Sequence, residues 1–300
     1  MNKLLILILV ISIAGNLVGL FAIYKFLGAK RAIEYVRMDL DRANERIVDL
    51  TGVLDRLHNK RMIFLHHSVG HGILYDGGLR DSMLAMGILV KGATYGDDIG
   101  QSTDVCDWPQ KFRHDMDKIF SFKAHPNSYY SDGITNDIVT FKSCFPNSDI
   151  TGEGTQPGDP STREKTIANF KAAFLEIQSD MARHNDKLFI YVTAPPLVPE
   201  ITTPENARRA REFNRWLVEE YLPKYKTESG LDNFGIFNLF DILADGNNVL
   251  KEEFRGGKPG DSHPNARGSQ LAAREFMAFF RPLWERWQGK AQSSLTQTSN

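Results

Sequence analysis

Arg61-Met-Ile-Phe-Leu-His-His-Ser-Val-Gly70 opens the globular part of this 300-residue chain. Met62 to His66 is a short apolar run closed by a serine and a glycine, the pattern of a buried strand that turns sharply at its carboxyl end. Four similar runs follow, at Ile88 to Tyr95, Asp137 to Ser143, Lys187 to Thr193 and Gly235 to Phe240. Helical patterns lie between and after them, clearest over Arg163 to His184, Glu205 to Tyr221 and Ala266 to Trp287. Ser161 with Glu164 has the spacing of a capping box, and Thr203 followed by Pro204 that of a helix start. Strand and helix in alternation predict a three-layer α/β/α domain around a parallel, flavodoxin-like five-stranded sheet. Gly152 to Thr162 reads as a loop, and Gln288 to Asn300 as a polar, disordered tail.

The amino-terminal part differs in kind. Leu4 to Tyr24 is 21 residues without a charge, long enough as a helix for a bilayer core of about 30 Å. A cleaved signal peptide has a shorter apolar region and a small-residue cleavage site, which Gly28-Ala29-Lys30-Arg31-Ala32 supplies poorly. An uncleaved transmembrane anchor over residues 1–28 is therefore expected. Lys3 flanks it on one side and Lys25, Lys30 and Arg31 on the other, which taken literally places the latter in the cytoplasm. Ile33, Val36, Leu40, Ala43, Ile47, Leu50, Leu54 and Leu57 then recur at spacings of three and four. Residues 29–60 read either as a self-associating coiled-coil stalk or as one amphipathic helix packed on its own domain. The globular domain is expected over 61–287 and the tail over 288–300.

A hydrophobic content of 42% is ample for a core, and the formal net charge of -1 argues against a nucleic-acid partner, which is held by clustered Lys and Arg. The two cysteines, Cys106 and Cys144, follow the second and third predicted strands. Neighbouring strand ends allow a disulfide, suited to an exported domain, as readily as two free thiols.

Ser68 would stand at the carboxyl edge of the sheet, where open α/β sheets hold ligands. The plain alternative is a helix N-cap serine. Gly260-Asp-Ser-His-Pro-Asn265 supplies the partners: Pro264 and the following helix start stiffen the direction of His263, and Asp261 can accept from its second ring nitrogen. Asn147, in Phe141-Lys-Ser-Cys-Phe-Pro-Asn-Ser-Asp149, can offer an amide N–H to an oxyanion, or merely form an Asx turn. His66, His67 and His71 with Asp76 form a rival metal cluster, but adjacent histidines on a strand face opposite ways, so no metal or other cofactor is expected. Cys144 as nucleophile has only Lys142 nearby to lower its pKa.

In order and place these residues resemble the SGNH hydrolase superfamily, the GDSL esterases and lipases, over about residues 61 to 287. The family has a serine after the first strand, a glycine after the second, an asparagine after the third and a histidine near the carboxyl end. Ser68, Asn147 and His263 match; Gly100 is the glycine chosen over Gly96 in Tyr95-Gly-Asp-Asp-Ile-Gly-Gln101. The resemblance implies that the Gly100 amide and Asn147 form the oxyanion hole. The chain departs from the family where His66-His67 replaces Gly-Asp before the serine. The last block is also shortened, to Asp261-x-His263, similar to alginate-acetylation relatives of the superfamily.

The expectation is a membrane-anchored serine esterase with its domain on the extracytoplasmic, periplasmic side, removing O-acyl groups, chiefly acetyl, from a cell-envelope glycan or related ester. Ser68, His263 and Asp261 would be catalytic. An O-acyltransferase would use the same residues, and a stalked non-catalytic scaffold is the alternative of another class.

Overall fold

The computed structural model describes residues 60–131 and 133–297, with side chains as far as Gly289. The anchor and stalk expected over 1–60 lie outside the described residues, except Lys60, which opens the first strand. Among the described residues no helix is long and apolar enough to cross a membrane. The compact unit that holds the sheet begins at His58.

All five predicted strands form: β1 (Lys60–Leu65), β2 (Ile88–Ala93), β5 (Ile138–Lys142), β6 (Leu188–Val192) and β7 (Phe234–Phe237). They pair in the order β2-β1-β5-β6-β7, and every pairing is parallel. Each strand ends before the residue read from sequence, and the two that stop two or three residues short do so because a polar side chain captures the backbone. Thr94 N–H donates to the Asp97 carboxylate at 3.0 Å, which ends β2 before Tyr95. Asn238 accepts from Asp241 N–H at 3.2 Å, which turns the chain out of β7 into a short helix. A hairpin that sequence reading missed, β3 (Phe122–Ala124) with β4 (Ser128–Tyr129), stands apart as a second sheet.

The helices are α1 (Ser68–His71), continued by a π-helical stretch over Gly72–Asp76, α2 (Leu79–Leu84), α3 (Trp108–Ser121), α4 (Ile167–Arg183), α5 (Pro204–Trp216), α6 (Leu222–Ser229), α7 (Leu239–Leu243) and α8 (Ala266–Gln297). Side chains alternate across the strands, so the sheet has two apolar faces and two cores. Ile63, Leu65, Val139, Phe141, Phe189 and Tyr191 pack with Phe112 of α3, Phe174 of α4 and Phe213 of α5. Met62, Phe64, Ile138, Leu188 and Ile190 pack with Val69 of α1, Leu79 of α2, Leu243 of α7 and Phe276 and Phe280 of α8. This is the three-layer sandwich expected.

Two helix boundaries correct the sequence reading. The expected capping box at Ser161 does not form, because Ser161 gives both its N–H and its hydroxyl to Asp159. The helix starts at Ile167 instead, capped by Thr166, whose hydroxyl accepts from Asn169 N–H. The polar tail is helical as far as Gln297, since Gln, Lys and Ala sustain a helix that the apolar pattern has already started. The Thr203 and Pro204 start forms as read, Thr203 accepting from Asn206 N–H at 3.1 Å.

The chain leaves β1 for β2 on one side and returns to β5 on the other. That reversal opens a crevice at the carboxyl ends of β1 and β5, the place where this topology binds ligands. Ser68 follows β1 there, and Cys144 to Asn147 follow β5.

Candidate active site

Ser68 is the first residue of α1, and the preceding His67 has extended backbone. The serine hydroxyl caps nothing; it lies 2.7 Å from His263 Nε2. Close packing fixes the turn. The His66 ring is fully buried under it, and a Cβ on Gly70 would come within 2.3 Å of His66 Cβ, while one on Gly92 would come within 2.9 Å of His66 Nε2. Two glycines thus make the room in which His66 sits. Its Nδ1–H donates to His67 O at 2.8 Å, and burial lowers its pKa to about 3, so the ring is neutral. His67 points the other way, donating from Nε2 to Gly100 O at 2.9 Å and accepting at Nδ1 from the Thr103 hydroxyl at 3.2 Å. Burial lowers its pKa as well. His66 and His67 are therefore neutral struts with their ring nitrogens turned to different groups.

His263 is held by local bonds. Asp261 Oδ1 accepts from its Nδ1–H at 2.6 Å and from its backbone N–H at 3.0 Å, leaving Nε2 to accept from the Ser68 hydroxyl. Between them Ser262 is fully buried, and its hydroxyl accepts from Val198 N–H at 2.9 Å. Asn265 caps α8 by accepting from Gly268 N–H at 3.0 Å and donates to the carbonyls of Glu253 and Arg255. The Phe145 and His263 rings pack edge to face, centroids 4.9 Å apart. Ser68, His263 and Asp261, chosen from sequence, are thus brought into one continuous relay.

Gly100 and Asn147 reach the same sheet edge in other roles. The Gly100 N–H donates to Asp97 O at 3.0 Å, so the amide expected to face an oxyanion is turned into its own loop. Gly100 is needed there for space, because a Cβ would come within 2.1 Å of Thr94 O. The loop is clamped from below by Lys111, which donates to the carbonyls of Ile99 and Gln101. The Asn147 side-chain amide gives its hydrogens to Asp104 Oδ1 at 2.8 Å and Cys144 O at 3.1 Å, and its oxygen accepts from Val105 N–H at 3.0 Å. Both thiols are free: Cys144 Sγ stands 3.9 Å from Ser68 Oγ, and Cys106 lies beside Asp107.

Tyr95, which sequence reading passed over, is the remaining neighbour of the serine. Its ring stacks on His67 with centroids 3.9 Å apart, and burial pushes its phenol pKa up. Ser262, Thr103 and Asp104 were also missed. A tyrosine two residues past the end of β2, at the sheet edge that also carries Ser68, was the only one of these signals open to sequence.

No protein-family model and no curated protein matches the chain. Among solved structures it is similar to a protein assigned to the lipolytic G-D-S-L family from Desulfitobacterium hafniense DCB-2, at 13% identity and a TM-score of 0.39, covering 72% of this chain and 96% of that one. It is also similar to a carbohydrate esterase family 2 enzyme with a carbohydrate binding domain from Corynascus thermopiles (Myceliophthora fergusii), at 12% identity and a TM-score of 0.44, covering 75% and 67%. A Streptococcus pneumonia protein described as a platelet activating factor matches at 13% identity and a TM-score of 0.39, covering 84% and 99%. These values are too low to bear on activity, which is argued below from the site.

Proposed function

We propose that the chain is a serine esterase of the SGNH type. The observation that carries this reading is the unbroken relay from Ser68 Oγ through His263 to Asp261, with links of 2.7 and 2.6 Å, at the crevice where β1 and β5 diverge. A hydroxyl is a weak nucleophile unless a base takes its proton as it attacks, and a base serves only if its tautomer is fixed. Asp261 fixes it.

Ser68 Oγ attacks the acyl carbon of an ester while its proton passes to His263 Nε2. The charge that appears on the imidazole is stabilised by Asp261, and the oxyanion is held by backbone N–H of Ser68. Collapse breaks the bond to the alcohol, which leaves with the proton from His263. A water then gives its proton to His263, attacks the acyl-enzyme, and releases the acid and the free serine. The substrate we infer is an O-acyl group, most simply acetyl, on a cell-envelope glycan. Support for the envelope comes from the uncharged run Leu4 to Tyr24, which as an anchor would hold the domain at an extracytoplasmic membrane surface. A self-associating stalk at Ile33 to Leu57 belongs to the same proposal.

The test is covalent labelling of the full chain by a fluorophosphonate, with release of p-nitrophenol from p-nitrophenyl acetate measured in parallel. Labelling and turnover that both vanish in Ser68→Ala are expected. A folded wild-type protein that neither labels nor turns over would sink the reading.

A further inference from the structure

Two side chains border the Ser68 hydroxyl: His263, with Nε2 at 2.7 Å, and Cys144, with Sγ at 3.9 Å. The cysteine is only 8% exposed and packs in the core that also holds Val69 and Phe237. The turn that carries it is pinned on both sides. The Cys144 carbonyl accepts from Asn147 N–H at 3.0 Å and from the Asn147 side-chain amide at 3.1 Å. Just before it, Ser143 O accepts from the fully buried Lys142 Nζ, and Ser143 Oγ from the Trp108 indole N–H, both at 2.9 Å. The backbone under the sulfur is therefore fixed, and the sulfur cannot retreat into a close-packed core. It is a rigid surface beside the nucleophile.

Attack on an ester leaves a tetrahedral carbon on Oγ with three further substituents, and each needs its own place. The oxyanion goes to backbone N–H. The oxygen of the leaving alcohol must come within reach of His263 Nε2, which gives it the proton. The His263 side chain is 43% exposed, so an alcohol of any size can lead out to solvent on that side. The acyl substituent is left with the side that Cys144 closes. A sulfur so near Oγ leaves room for a methyl group and little more.

We propose that Cys144 is the wall of the acyl site and restricts the substrate to esters of acetyl and smaller acyl groups. The inference rests on the reading of Ser68 as an esterase nucleophile. The thiol forms no bond to the acyl carbon at any step; its part is to limit volume. Asn147, Lys142 and Trp108 act through it, by holding the turn after β5 in place.

The test is the acyl-length profile of the full chain on p-nitrophenyl acetate, butyrate and hexanoate. Wild-type kcat/KM is expected to fall at least about 10-fold from acetate to butyrate, the scale on which added methylenes are discriminated, and further on hexanoate. Cys144→Ala removes the sulfur and should raise the butyrate-to-acetate ratio of kcat/KM by about 10-fold or more. Cys144→Val, with its larger branched side chain, should lower turnover of acetate itself. Thermal melting of each variant is read alongside. Wild-type turnover of hexanoate as fast as acetate would overturn the proposal whether or not the variants fold, and so would a wild-type ratio in folded Cys144→Ala. If wild type labels with the fluorophosphonate and turns over without acyl preference, the Cys144 inference alone fails. If wild type does neither, the esterase reading fails and this one with it.

Discussion

The two arms of the relay are built by opposite means. Ser68 is placed by close packing between distant segments: His66 fills a slot whose walls are Gly70 and Gly92, and the turn has no room for one more carbon. His263 is placed by hydrogen bonds: from Asp261 two positions away, from Asn265 to the segment Glu253 to Arg255, and from Val198 N–H to Ser262 at long range. Packing tolerates no added volume and transmits any shift. A hydrogen-bonded loop instead fails one bond at a time, so the two arms should break differently.

Removing the reacting groups gives the largest effect. Ser68→Ala and His263→Ala should each abolish turnover of an aryl acetate, whereas Asp261→Asn should retain measurable activity, because an amide oxygen can still accept from the His263 backbone N–H. Steady-state kinetics of the three would check it, and equal losses would show that Asp261 acts through charge rather than placement. Next comes the packed arm. Gly70→Ala should cost about 1 to 3 kcal/mol of stability as an overpacking change and also lower kcat, since the helix that carries Ser68 must move away from His66. A Gly70→Ala protein with native melting and turnover would mean that the slot is looser than its 2.3 Å approach implies.

On the hydrogen-bonded arm, Ser262→Ala leaves the buried Val198 N–H without a partner, at a cost of about 1 to 3 kcal/mol. Its kcat should drop only modestly, because Asp261 and Asn265 still hold the histidine from both ends. Urea denaturation and kinetics on the same preparation would separate these terms. Asn147→Ala tests the turn after β5 in the same way. Stability should fall by about 1 to 3 kcal/mol from the orphaned Val105 N–H, and a kcat loss of 10² or more with unchanged stability would restore the amide to the oxyanion hole.

The smallest effect at neutral pH, and a growing one in acid, belongs to His66. Its folded pKa is lowered to about 3 from an ordinary 6.5, so the unfolded chain takes up a proton that the folded chain refuses. Its contribution is complete above about pH 6.5, falls by up to about 1.4 kcal/mol per pH unit below it, and stops changing below about pH 3. His66→Asn keeps a donor for His67 O without the titration, and should therefore flatten the stability profile between pH 6 and 4. Parallel profiles for the two proteins would show that the ring gains solvent before it charges.

The five strands, their parallel pairing and the serine, histidine and aspartate were readable in the chain because each rests on local information. Apolar runs of strand length mark the sheet, and the Asp261-x-His263 spacing itself brings a carboxylate to the ring. Gly100 is the glycine that Thr94 crowds, and its N–H bonds to Asp97 O within its own loop, a pairing that sequence does not display. Strand ends at Ala93 and Phe237 were overrun because side-chain capture by Asp97 and Asn238 competes with apolar periodicity and leaves it unchanged.

What only the tertiary structure decided is the set of polar partners around Ser68. His263 and Ser68 come from distant parts of the chain, Asn147 and Asp104 from different loops, and Ser262 reaches a backbone N–H in the segment after β6. Neither cysteine pairs, although both follow strands of one sheet. A donor's partner depends on which groups the fold carries within about 3 Å of it, and sequence spacing bounds that distance only between near neighbours. Sequence by itself determined the strands and nominated the serine, histidine and aspartate that bond one another at their ends; folding alone determined which N–H and O–H groups around them pair with which partners.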